Sequence, residues 1–179
     1  MKKLVLFLPT LLLLAACNNN KPLSDYGAKF AEIMKSSEGM FRGIEPGRSK
    51  KEIAEKEKPA QPKDEDDRYL YYEFPGDTGE LYTVEYNFDE RGLNEVKLDA
   101  YFVNAADART LFVSFRDYYT AKFGETEKFE GFAAWAFKDA SGRTIQLELS
   151  DQSAEYRQGK FALDLYYVPE DPGTAPSKK

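Results

Sequence analysis

Cys17 is the only thiol in the sequence, and no histidine accompanies it anywhere in 179 residues. That combination excludes most of the constellations that make or break covalent bonds at neutral pH. Without an imidazole there is no Ser-His-Asp triad, no Cys-His pair and no histidine-bound metal. Carboxylates remain, 31 of them against 25 lysines and arginines, and two facing acids can hydrolyse a glycosidic bond. Asp77, Asp89, Glu90 and Asp139 fall, however, in stretches that read as turns, where acidic side chains are expected for backbone reasons. The run Asp64-Glu65-Asp66-Asp67 lacks the alternating ligands and central glycine of a calcium loop, so it reads as solvated charge. Residues 39–43 (GMFRG) and 75–79 (PGDTG) do not join strand to helix with the glycine–lysine spacing of a phosphate loop. The sequence therefore predicts no catalytic residue, no metal and no cofactor. A carboxylate-dependent hydrolase stays open as the alternative.

Tyrosine is the residue type better placed to act here, and its chemistry is recognition. From Tyr69 onward the apolar pattern has period two. Leu70, Tyr72 and Phe74 alternate in one strand, and Tyr82, Val84, Tyr86 and Phe88 in the next. After the turn Asp89-Glu90-Arg91-Gly92 come Val96, Leu98, Ala100 and Phe102. If those stripes face a core, Tyr69, Tyr71 and Tyr101 point the other way, as does Tyr166 in the last strand. Tyrosines on an open sheet face combine apolar area with a hydroxyl, which suits protein or glycan recognition.

The elements that must position them follow from caps and periodicity. Ser24 reads as a helix cap, with Tyr26, Phe30, Ile33 and Met34 at helical spacing, and Gly39 and Gly43 break that helix. Ser49-Lys50-Lys51-Glu52 is a capping-box pattern opening a second helix, which Pro59 stops. Lys56 to Arg68 reads as an exposed, charged loop. Asn104, with Asp107 three residues on, caps a helix over 105–123 whose Ala108, Leu111, Phe112, Phe115, Tyr119 and Phe123 share one face, and Gly124 ends it. A second strand group carries Ala133, Trp135 and Phe137, then Ile145, Leu147 and Leu149, then Phe161, Leu163, Leu165 and Tyr167.

This order predicts an α+β fold: an antiparallel sheet with helices packed on one face, helix–helix–three strands and then helix–three strands. VEYNFDERG (84–92) is loosely repeated as AAWAFKDASG (133–142). The single domain expected over 23–168 can therefore be read as two tandem units, 23–103 and 104–168. Whether the strand groups form one sheet or two stays open. Residues 169–179 read as a disordered tail.

Met1-Lys2-Lys3, the apolar run Leu4–Leu14 and the small residues before Cys17 have the layout of a secretory signal too short to span a bilayer. Leu14-Ala15-Ala16-Cys17 resembles the bacterial lipobox at every position. The resemblance implies a signal peptide over 1–16, cleavage between Ala16 and Cys17, and lipid on Cys17 as the only covalent attachment. Residues 17–22 become a tether. Several acyl chains give near-permanent anchoring, because each buried methylene contributes about 0.8 kcal/mol. Loss of residues 1–16, with two lysines and no acids, takes the net charge from −6 to −8, which disfavours nucleic acid as a partner. By analogy with enterobacterial lipoprotein sorting, Asn18 after the cysteine implies the outer membrane.

Residues 44–72 resemble the opening of the SmpA/OmlA (BamE-like) small outer-membrane lipoproteins: a P-G-x-[ST] turn, a short helix ending near G-x-P, then a tyrosine-rich strand. Pro46, Gly47, Ser49, Ile53, Pro59, Tyr69, Tyr71 and Tyr72 carry the likeness. Glu57-Lys58 stands where that family tends to have an apolar residue and glycine. The layout is shared with β-lactamase-inhibitor-like proteins, whose tandem units bind partners across a sheet. Together these readings predict a membrane-anchored protein of the bacterial cell envelope that binds another envelope protein. A carrier of a small apolar ligand between helix and sheet is a further alternative.

Overall fold

The computed structural model describes residues 21–76 and 78–169. The signal segment, Cys17, Asp77 and the last ten residues of the expected tail lie outside the described residues. The chain forms a 3-10 turn (Leu23–Tyr26), helices α1 (Ala28–Met34), α2 (Lys50–Glu57) and α3 (Ala105–Phe123), and eight strands. These are β1 (Asp64–Glu65), β2 (Tyr69–Pro75), β3 (Leu81–Asp89), β4 (Gly92–Phe102), β5 (Glu127–Phe129), β6 (Phe132–Lys138), β7 (Thr144–Asp151) and β8 (Gly159–Tyr167). The fold is α+β, as the residue pattern predicts.

Two of the three helix starts follow the local chemistry read from the sequence. The Ser49 N–H donates to Glu52 Oε2 at 2.9 Å and the Ser49 hydroxyl accepts from the Glu52 N–H, closing the capping box. Asn104 Oδ1 accepts from the Asp107 N–H at 3.1 Å. Each cap is worth about 1 kcal/mol. Ser24 is different. It lies inside the 3-10 turn and caps nothing; Gly27, at φ 115°, separates that turn from α1, whose N-cap it becomes. Only glycine takes that backbone geometry without strain, so one expected helix is broken into two pieces.

The stretch 56–68 is not wholly a loop. Asp64 and Glu65 pair with Tyr71 and Leu70 as β1. A tight turn makes this happen: Asp66 Oδ1 accepts from the N–H groups of Arg68, at 2.6 Å, and Tyr69, at 3.0 Å. The acidic run thus folds its own chain back onto β2. β5 is likewise additional to the six expected strands, turning into β6 through Glu130-Gly131.

All eight strands form one sheet in the order β1-β2-β3-β4-β8-β7-β6-β5. Two consecutive four-stranded meanders meet last strand to last strand, with β4 antiparallel to β8 and Leu98 opposite Leu163. The repeated stretches 84–92 and 133–142 fall on β3 and β6 with their turns, the third strand of one meander and the second of the other. The likeness therefore joins two non-equivalent hairpins.

Every helix adds buried side chains to one apolar cluster with the inward stripes of β2–β4 and β6–β8. α3 crosses the seam, with Phe115 stacked on Phe161 at 5.0 Å and Tyr119 against Trp135 at 5.8 Å. Phe30 of α1 meets Phe115 edge-on at 4.7 Å. The Pro46-Gly47 turn reaches the start of β4, where the Gly47 N–H donates to the Leu93 carbonyl and the Leu93 N–H to the Arg48 carbonyl, both at 2.7 Å. A Cβ at Gly92 (φ 105°) would collide with the Gly47 carbonyl. With the helices on one side, the other side of the sheet is left to the polar half of each strand.

Candidate functional site

The register places the outward residues in rows across the sheet. One row runs Tyr71–Glu85–Lys97–Asp164–Glu148 over β2, β3, β4, β8 and β7. The next runs Tyr69–Asn87–Glu95–Tyr166–Gln146. On the other side Thr83, Asp99 and Ala162 align, and Tyr101 lies opposite Lys160 towards the end of β4. Alternation along each strand produces this face, and strand pairing brings its members together.

All four sequence-predicted tyrosines lie on this face and are half-buried. They do not form a continuous aromatic patch. Tyr69 and Tyr166 share a row but are three strand spacings apart, about 14 Å, with Asn87 and Glu95 between them. Three of the four hydroxyls are engaged with neighbouring carboxylates. Tyr166 donates to Glu148 Oε1 at 3.0 Å, Tyr71 to Glu73 Oε1 at 3.4 Å, and Tyr69 to Asp64 Oδ2. The bond to Asp64 pushes the Tyr69 hydroxyl up to about 12, and burial with the Glu148 bond does the same for Tyr166. Tyr101 lies with its ring 5.5 Å from Lys160 Nζ. The four are hydrogen-bond donors and apolar surface at neutral pH, not nucleophiles.

Carboxylates between the tyrosines define the face. Lys97 Nζ sits 3.0 Å from Glu95 and Lys160 Nζ 3.0 Å from Asp99. Glu85 holds the Asn87 amide at 2.7 Å, and Glu148 holds the Gln146 amide at 2.6 Å. Asp164, at the centre, lies opposite Lys97 on one side and Glu148 on the other. Burial raises its pKa; Lys97 opposes that, while Glu95, Asp99 and Glu148 add to it. The sequence pattern alone does not single out these acids. The signal was present, because Glu85, Glu95, Asp99, Glu148 and Asp164 share the strand parity that selects Tyr69 and Tyr71.

A second polar cluster is buried on the helix side. Glu57, 1 % exposed, ends α2 and accepts from Arg42 Nε at 2.7 Å, Arg42 Nη2 at 2.6 Å, Lys35 Nζ at 2.7 Å and the Tyr86 hydroxyl at 2.5 Å. Arg42 Nη1 donates to the Ile33 carbonyl at 2.5 Å, and its guanidinium lies 5.0 Å from the Phe74 ring. Lys35 and Arg42 both hold left-handed backbone, at φ 55° and 52°, a geometry that costs an ordinary residue about 1–2 kcal/mol. Glu57 thus locks both ends of the 35–42 loop. Burial pushes its pKa up, but the hydrogen bonds and charge of Arg42, with Lys35 and Tyr86, outweigh that and bring it down to about 2. A carboxylate so saturated cannot exchange protons with a substrate at neutral pH. Its role is structural.

Elsewhere, an open cleft of about 520 Å³ lies between the start of α3 and the β5–β6 turn, lined by Ala105, Arg109, Glu130 and Asp151 among others. Its acids are engaged: Asp151 accepts from the Ser153 N–H and hydroxyl, and Glu130 lies 3.7 Å from Arg109. The gap between α1 and the sheet at Ile33, Phe74 and Ala100 is about 10 Å³, far below the roughly 300 Å³ of the smallest usual ligand pockets. Asp89, Glu90 and Asp139 sit in hairpin turns, where Asp89 Oδ1 accepts from the Arg91 N–H and Asp139 Oδ1 from Ser141 and Arg143. Among the described residues no three acids, cysteines or histidines group around a position for a metal ion, and no helix is long and apolar enough to cross a membrane. Compared with protein-family models, curated proteins and solved structures, the chain gives no match.

Proposed function

We propose that this chain is a bacterial envelope lipoprotein, anchored through lipid on Cys17 in the outer membrane, that binds another envelope protein on the uncovered face of its sheet. The lipobox-like Leu14–Cys17 and Asn18 support the anchor and its destination. The likeness of residues 44–72 to the BamE-like group supports the setting. One observation carries the binding role: all three helices pack on a single face of the sheet, leaving Tyr69, Tyr71, Tyr101 and Tyr166 half-buried on the other. Tyrosine side chains lose little conformational freedom when a partner covers them, and they combine apolar contact with hydrogen bonding.

Two measurements test this. Labelled palmitate should enter the wild-type protein and not Cys17→Ser, and labelling that survives the substitution removes the anchor. A photo-crosslinking residue at Gln146, within the open face, should give a discrete adduct in intact cells. The same residue at Thr110, exposed on α3, should not. Equal adduct patterns from both positions overturn the binding role of the face.

A further inference from the structure

We infer that the partner meets the open sheet face with a basic surface, placing arginine or lysine side chains of a folded protein along the row Glu85–Asp164–Glu148. This rests on the reading above that the open face is a docking surface. The lysines beside the row are already committed: Lys97, which stands between Glu85 and Asp164, lies against Glu95, and Lys160 lies against Asp99, while Lys138, further out on β6, holds the Thr144 hydroxyl. Glu85 and Glu148 are held by neutral donors, the amides of Asn87 and Gln146 and the hydroxyl of Tyr166. Asp164 stands between Lys97 and Glu148 in the same row, and its surroundings disfavour its ionised form. The face therefore carries more negative charge than it neutralises, at positions half-removed from water.

The geometry also selects the kind of cation. Glu85 and Glu148 are separated by three strand spacings, about 14 Å, and no three carboxylates among the described residues converge on one point. A single metal ion cannot serve such a row. Side chains spread along an element of a second protein can, and guanidinium groups add paired hydrogen bonds to carboxylates and stacking on tyrosine rings such as Tyr71 and Tyr166. The acidic balance of the whole chain steers a basic partner towards it.

The test uses the full chain in detergent, a fluorescent decaarginine peptide, a decaglutamate control, and the triple variant Glu85→Gln/Asp164→Asn/Glu148→Gln. Thermal unfolding of the variant establishes that it folds. Decaarginine should bind saturably at one site, with about tenfold weaker affinity in the triple variant and a comparable loss at high salt; decaglutamate should not bind. A charge-matched control, Glu32→Gln/Glu55→Gln/Asp117→Asn, should bind like the wild type. Absence of decaarginine binding, or equal losses in the two triple variants, overturns the inference. The Gln146 crosslink separates the two readings. An adduct that disappears in the Glu85/Asp164/Glu148 variant supports both. One that persists unchanged overturns the basic partner and leaves the docking face standing, and its absence from the wild type overturns both.

Discussion

Glu57 and Asp164 are both carboxylates withdrawn from water, one on each side of the same sheet, and their surroundings push them in opposite directions. Glu57 has two cations and a tyrosine hydroxyl donating to its oxygens, so its charge is stabilised despite near-complete burial. Asp164 is half-withdrawn from water, which disfavours its charge; the one lysine opposite opposes this and three other carboxylates add to it, so its pKa is raised. Burial alone does not sort them; the count of donors does. The helix side uses its charges to hold a loop in place. The open side leaves Glu85 and Glu148 with neutral donors only.

Breaking the saturated side gives the largest effect. Glu57→Gln leaves Arg42 buried without its counter-charge and should destabilise the fold by about 3–5 kcal/mol, read as a fall in urea midpoint. The pair Arg42→Met/Glu57→Leu should recover much of that loss, because it removes both charges together. If Glu57→Gln unfolds with the wild-type midpoint, the cluster does not hold the loop.

Acid titration gives the next effect. The folded pKa of Glu57 lies at about 2, below the ordinary carboxyl value of 4.5. Its stabilisation is therefore complete above the unfolded-state value and is lost as pH falls from about 5 towards 2. The loss is on the order of 3 kcal/mol. Unfolding midpoints across this range should drop in the wild type and change much less in the Arg42→Met/Glu57→Leu pair.

Asp164 should show the opposite sign. Its folded pKa is raised, so its contribution is most favourable when protonated and is lost as pH rises through the carboxylate range. Asp164→Asn should therefore stabilise the protein at neutral pH, by less than about 1 kcal/mol after solvent screening. A destabilised Asp164→Asn would mean that Lys97 outweighs the surrounding acids. Smallest of all is Tyr69→Phe, which removes an exposed hydrogen bond to Asp64. It should move the urea midpoint less than any of the other substitutions and bring the phenolic titration of the folded protein closer to 10.

Much of the framework around these two carboxylates is legible in the sequence. Ser49–Glu52 and Asn104–Asp107 announce their helices, because a cap is satisfied within four residues. The stripes Leu70–Tyr72–Phe74 and Val96–Leu98–Ala100 announce a sheet with one apolar face, because strand parity is a local property. That parity also assigns Tyr69, Tyr71, Tyr101 and Tyr166 to the open side. β1 and β5 escaped notice since two or three residues carry no periodicity. The spacing from Ser24 to Met34 predicts one helix where there are two pieces, because the positive φ of Gly27 leaves no mark on the apolar pattern.

The Glu57–Arg42–Tyr86 cluster was not legible at all. Its members lie 15 and 29 residues apart, and nothing local distinguishes Glu57 from the solvated acids of α2. The open face is an intermediate case: each of its acids has readable parity, but the crowding around Asp164 exists only because β4 pairs with β8. Local chemistry determined the caps, the turns and the strand faces. Tertiary structure decided that one sheet forms instead of two, which acid is saturated and which is left wanting. The physical reason is range: caps and alternation act over a few residues, whereas a charge responds to whatever the fold brings within a few ångströms.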